Sequence, residues 1–217
     1  MSEFFVLEME KAWRDGRVCL HPTDTLPGLS FDPHQSPAWD ALRAVKQRPQ
    51  EKSPIALVAR LDQALKLWQA LPGVWPQILG ALWPGPLSVI WYASAECAPY
   101  LKSPDGTCAL RSPLFSASCS WMQDLLERIE GGFPTTSVNR SGEAACGSWD
   151  EAVAWVQRYD PNIYVPPGAP LASRTDKTIM PSTLLRIVDA SSYEILREGA
   201  MARSSIEKMV ETYVRHI

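Results

Sequence analysis

The sequence predicts a mixed α/β (α+β) fold, a mixed sheet flanked by helices. Short apolar runs suited to strands alternate with segments of helical period. Several strand-like runs are adjacent, PLSVIWYA before TCALR and STLLRIVD before YEILREG, which argues for a mixed sheet over a purely parallel one. Hydrophobic residues make up 46% of the chain, charged residues 21%, and there are nine Trp, enough apolar material for a sizeable core. The 217 residues show no composition shift that would mark a boundary, so residues 1–217 are read as a single domain.

The elements follow in order. Residues 3–15 read as a helix closed by Gly16, and RVCLHP as a strand running into a Thr-rich loop from Pro22. Ser36 and Pro37 start a helix that runs through Lys46, with Ala41, Leu42 and Val45 on its inner face and Pro49 as its stop. PIALVA is a short buried strand. LDQALKLWQAL repeats apolar residues at Leu61, Leu65, Trp68 and Leu71, a core-facing helix. Then come a helix near VWPQILGALW, a WPGP turn, the strands PLSVIWYA and TCALR, and a helix around WMQDLLERIE. Gly131 and Gly132 open the strand FPTTSV. Ser148 with Glu151 is a capping box for the helix DEAVAWVQRY. A Pro-rich loop at 166–181 is expected to act as a lid, its Arg174 and Lys177 closing on phosphates. Strands STLLRIVD and YEILREG and a helix from about Arg203 complete the chain.

Composition narrows the function. A net charge of −3 gives no overall field for nucleic acid or anionic membranes, so any basic site is a local concentration. The five Cys are odd in number and contain no C-x-x-C pair, which argues against a disulfide framework or a zinc site. The acidic N-terminal stretch and the lack of an 18-residue apolar run point to neither a signal peptide nor a membrane span, and to a cytoplasmic protein.

Familiar catalytic machines are missing: there is no P-loop, no G-x-G-x-x-G, no H-E-x-x-H and no G-x-S-x-G. Hydroxyls, amides and cations at loop positions remain. Lys46 and Arg48 bracket a helix end, and the extended geometry imposed before Pro49 lets Arg48 fold back beside Lys46 on an exposed loop. Two cations would then face one anion, the guanidinium as a bidentate fork and the ammonium as a mobile point charge. A solvated helix end complementing the macrodipole is the plainer alternative. Thr23, Asp24 and Thr25 supply hydroxyls and a carboxylate, and Gly28 permits a tight turn or close approach to a ligand; an Asx or Ser/Thr turn is the alternative there. Ser137 and Asn139 alternate along one strand face and can reach one ligand.

Seven motifs in order, PTDTLPGL (22–29), KQRPQEKSP (46–54), WPGPLS (83–88), ALRSP (109–113), SVNRSG (137–142), PSTLLRIVD (181–189) and ILREGAM (195–201), resemble the YrdC-like domain of the threonylcarbamoyl-AMP synthase family over nearly the whole chain. The resemblance implies a twisted mixed sheet curled around a basic concave site. There ATP, L-threonine and bicarbonate or CO2 would give threonylcarbamoyl-AMP and pyrophosphate, for modification of an adenosine beside the tRNA anticodon. It implies catalytic roles for Lys46 and Arg48, threonine-side roles for Thr23, Thr25, Ser88 and Arg111, and nucleotide-side roles for Lys52, Ser137, Asn139, Ser182 and Arg197. Magnesium would arrive with the triphosphate, with no tightly bound metal, and tRNA and downstream threonylcarbamoyl-transfer proteins are the implied partners. The chain departs from the family pattern where Pro27 replaces an aromatic, Arg140 a Leu and Ser88 a Thr; loss of the aromatic wall implies relaxed threonine selection. The alternative is a divergent YrdC-like paralogue that binds nucleotide or RNA (tRNA or dsRNA) without this activity, for which a larger basic excess with interleaved aromatics is expected.

Overall fold

The computed structural model describes residues 2–48, 53–167 and 180–214. Eight strands, β1 (Cys19–His21), β2 (Gly28–Ser30), β3 (Ile55–Leu57), β4 (Leu87–Tyr92), β5 (Thr107–Arg111), β6 (Phe133–Ser137), β7 (Thr183–Ile187) and β8 (Tyr193–Arg197), form one sheet in the order β1-β2-β6-β3-β5-β4-β7-β8. Among the described residues, β3 with β5 and β4 with β7 are the strands that pair in parallel, and the other neighbouring pairs are antiparallel. The sheet is thus mixed, as the adjacent strand signals required. β2 is a correction: the stretch after Pro22 reads as loop, yet Gly28–Ser30 pairs with both β1 and β6. Three residues are too few to show an alternation in sequence.

Helices α1 (Ser2–Arg14), α2 (Ser36–Lys46), α3 (Leu61–Leu67), α4 (Trp75–Leu82), α5 (Trp121–Arg128), α6 (Trp149–Tyr159) and α7 (Arg203–Val214) cover the sheet, with α1 packed on α5 and α4 on α7. Gly16, at φ 81, donates to Trp13 O and closes α1 as expected. The capping box of α6 is shifted by one residue. Ser148 Oγ accepts from Glu151 N at 3.2 Å, but the Glu151 carboxylate takes its proton from Gly147 N, at 2.7 Å.

Apolar burial is divided among three clusters. One lies around α3, α4, β4 and α7, a second around α1 and α5, and a third around α2, α6 and β2. Trp75 is buried in the first and donates its indole N–H to Asp189 O at 2.9 Å, so its large apolar surface is covered without an orphaned donor. Two core expectations need correction. Ala41 is exposed because the inner face of α2 is formed by Ala38, Trp39, Leu42 and Lys46. Leu65 is 40% exposed, since α3 buries Ala64 and Leu67 instead. Pro49, Lys52 and most of the expected lid, residues 168–179 with Arg174 and Lys177, lie outside the described residues.

Candidate active site

The ends of β5, β6 and β8, the turn between β1 and β2, and the segment entering β7 converge on a cleft of about 870 Å³. Of the residues singled out in the sequence, Thr23, Thr25, Arg48, Arg111, Ser137, Asn139, Ser182 and Arg197 line it. These come from six segments that the sheet order brings together, so the cluster is a product of topology. Two others stand behind the wall. Ser88 is fully buried and reaches the cleft only through Ser182, with 2.8 Å between the hydroxyl oxygens.

Lys46 is the second, and here the expectation of an exposed cation is corrected. It is 2% exposed and takes the last core-facing place on α2. Its ammonium donates to Ser137 O, to Asn139 O at 2.7 Å and to Asn139 Oδ1 at 3.2 Å. Ser137 Oγ donates to the same Asn139 Oδ1 at 2.6 Å, and Asn139 Nδ2 donates to Arg140 O and Glu143 O. Lys46 therefore anchors the S-x-N turn from beneath and presents that turn to the cleft. Burial, with the Arg48 charge close by, pushes its pKa down to about 7.

Arg48 is half-buried. Its fork donates to Ser53 O at 2.8 Å and Thr136 Oγ1 at 3.2 Å, which holds the guanidinium in the cleft wall. Arg197 stands at the opposite side, donating to Ser182 O at 2.9 Å. Burial lowers the pKa of both arginines, and at Arg197 the Arg111 charge adds to the effect. Three guanidiniums converging on one cleft, with the charge of Arg111 disfavouring that of Arg197, is an arrangement that an anionic ligand relieves.

Arg111 is held from several sides. It forms a buried ion pair with Asp24, donates to Thr25 Oγ1 at 2.9 Å and to Gly85 O at 3.3 Å, and Asp24 in turn accepts from Leu114 N at 3.1 Å. The Thr23 turn is closed on itself as well. Thr23 Oγ1 donates to Leu26 O at 2.7 Å and accepts from Thr25 N at 3.0 Å, the Ser/Thr turn weighed above as the alternative. Gly28 provides close approach. A Cβ there would lie 2.4 Å from Thr135 Oγ1 and 2.6 Å from His21 Nε2.

Thr135, Thr136, Ser53, Ser103 and Glu143 also line the cleft and were not singled out in the sequence. Strand alternation carries a signal for one of them, since Thr135 is two residues from Ser137 and shares its face of β6. Among the described residues no group of three or more His, Cys, Asp or Glu is placed to hold a metal ion. No helix among them is long and apolar enough to cross a membrane.

The chain is similar to known proteins in both sequence and fold. The threonylcarbamoyl-AMP synthase of Halorhodospira halophila is 31% identical over 149 residues, 67% of this chain and 72% of that protein. Among solved structures, P. abyssi Sua5 complexed with L-threonine superposes with a TM-score of 0.80 at 21% identity, covering 96% of this chain; this chain spans 58% of that one. E. coli YciO superposes with a TM-score of 0.75 at 18% identity, covering 93% of this chain and 92% of that one. A family model described as Telomere recombination matches residues 11–199, and the chain belongs to the Sua5/YciO/YrdC family.

Proposed function

We propose that this chain is an L-threonylcarbamoyl-AMP synthase, and the observation that carries the reading is the convergence of Arg48, Arg111 and Arg197 with the S-x-N turn in one cleft. The reaction brings anions together: the threonine carboxylate, a carbamate and a triphosphate. The threonine amine adds to CO2 and loses a proton, giving the carbamate. A carbamate oxygen then attacks the α-phosphorus, the bond to the bridging oxygen breaks, and pyrophosphate leaves with that electron pair. No covalent enzyme nucleophile is needed. Catalysis is positioning plus electrostatic stabilisation, which fixed guanidiniums supply without reorganising.

In this reading Arg48 and Arg197 hold the phosphates with Ser182 and the Ser137–Asn139 turn, and Lys46 holds that turn in place. Arg111 and the Thr23–Thr25 turn face the amino acid, with Arg111 aimed by Asp24. Magnesium enters as part of the nucleotide substrate, coordinated by phosphate oxygens and water. The relatives that carry this activity by name are similar over two thirds of the chain, and tRNA modification is the fate of the product in the same reading. Pyrophosphate release from ATP, followed with and without L-threonine and bicarbonate, tests it.

A further inference from the structure

The hydroxyl groups of the cleft are not equivalent once their protons are assigned. Thr23 gives its proton to Leu26 O and accepts from Thr25 N. Thr25 Oγ1 accepts from Arg111 and lies 3.2 Å from Thr23 Oγ1, to which its own proton is left to go. Thr136 accepts from Arg48, and Ser137 donates to Asn139. Thr135 is different, because its partner is a histidine beneath the cleft wall.

His21 is fully buried, with its Nδ1 at 3.1 Å from Pro22 O and its Nε2 at 3.0 Å from Thr135 Oγ1. A carbonyl oxygen can only accept, so Nδ1 carries the ring proton. Burial, with the Arg111 charge adding to it, holds the ring neutral by pushing its pKa down to about 4. Nε2 is then a lone pair, and the Thr135 hydroxyl must donate to it. The Thr135 proton therefore goes to His21, which leaves its oxygen lone pairs as acceptors on a residue that lines the cleft. The imidazole packs against Phe133 in a T-shaped contact, ring centroids 5.0 Å apart, which limits its rotation. Gly28 leaves the gap that this contact needs.

We propose that Thr135, oriented by His21, is the acceptor that fixes the amino group of the amino-acid substrate. The inference rests on the synthase reading above. A hydroxyl that only accepts requires a donor, and the amino nitrogen is the donor that every amino acid brings. Thr135 lines the same cleft as Thr25 and Arg111, and Arg111 donates to Thr25 Oγ1 at 2.9 Å. With the carboxylate at Arg111 and an N–H on Thr135 Oγ1, the nitrogen lone pair is left to meet CO2. Thr135 acts directly on the substrate, whereas His21 is a positioning residue.

The test measures KM for threonine and for ATP, and kcat, by pyrophosphate release in four proteins: wild type, Thr135→Val, Thr135→Ser, and the double variant His21→Phe/Thr135→Val. Losing one hydrogen bond to a polar substrate group raises the threonine KM of Thr135→Val by about tenfold, with ATP KM unchanged. Thr135→Ser restores it, and adding His21→Phe to Thr135→Val raises it no further, since the histidine acts through the hydroxyl. As a control, 3-hydroxybutyrate, threonine without its amino group, should inhibit wild type and Thr135→Val equally. The proposal is overturned if Thr135→Val keeps the wild-type threonine KM, if threonine and ATP KM rise together, or if 3-hydroxybutyrate loses affinity in step with threonine. Wild type that releases no threonine-dependent pyrophosphate would instead sink the synthase reading.

Discussion

Asp24 and Arg111, 87 residues apart in sequence, are locked together at the base of the cleft with their side chains 10% and 5% exposed. The pair ties the β1–β2 turn to the end of β5, so it aims Arg111 and shapes the turn together. Removing one partner leaves a charge buried and uncompensated, which costs about 3–5 kcal/mol. Asp24→Ala is therefore expected to lower the urea midpoint strongly and to abolish activity, whereas exposed pairs such as Lys11 with Asp15 should be nearly silent. A melt unchanged in Asp24→Ala would show that the pair holds neither the turn nor the arginine.

Arg48 donates through both arms of its fork within the cleft wall, and the synthase reading assigns it to the phosphates. Arg48→Ala should reduce kcat/KM by about 2–4 kcal/mol. Arg48→Lys should also be damaging, since a compact ammonium lacks the planar fork whose two nitrogens reach Ser53 and Thr136 separately. Steady-state kinetics on both variants checks this, and near wild-type turnover in either would remove Arg48 from the chemistry.

Lys46 gives a stability prediction with a definite sign. Its folded pKa, about 7 against an ordinary 10.5, means that between those values the unfolded chain holds a proton that the folded chain has released. Stability should then rise with pH across this window, and the cost of burying the ammonium is fully present below it. Compared with Lys46→Met, which lacks the titration and leaves the S-x-N oxygens without their donor, wild type should gain stability between about pH 7 and about pH 9. Urea unfolding of both proteins at the two pH values measures the difference. A constant difference would mean that the three oxygens keep Lys46 protonated throughout.

Pro27 is buried yet forms part of the cleft lining. In place of an aromatic wall it offers a small fixed ring. Thr135 would fix an amino group common to all amino acids, so discrimination among side chains falls to this wall. The expectation is relaxed dependence on L-threonine, with Pro27→Tyr sharpening it where the backbone accepts the change. ATP turnover against a panel of amino acids decides the point, and tight threonine selectivity in the unmodified chain would show Pro27 to be neutral.

Local signals in the sequence carried the elements well. Ser36 with Pro37 marked the start of α2, although the N-cap is Gln35 rather than Ser36 and no side chain caps it, Ser148 with Glu151 marked that of α6, and the apolar runs of β4, β5, β7 and β8 were legible. Relationships between distant segments were not. Nothing local tells that Lys46, at a cationic helix end, turns inward to three oxygens 91 and 93 residues away. Nor does it tell that His21 finds Thr135 across 114 residues. The motifs named the segments that meet at the cleft, and the sheet order β2-β6-β3-β5 decided which of their side chains face it.

The most direct test of the central claim is pyrophosphate release from ATP by the purified chain, with L-threonine and bicarbonate added singly and together. The synthase reading requires release that depends on both, together with a threonylcarbamoyl-adenylate detectable by mass spectrometry. Release at the same rate without amino acid or bicarbonate, or no release at all while ATP binds in the cleft, would contradict it.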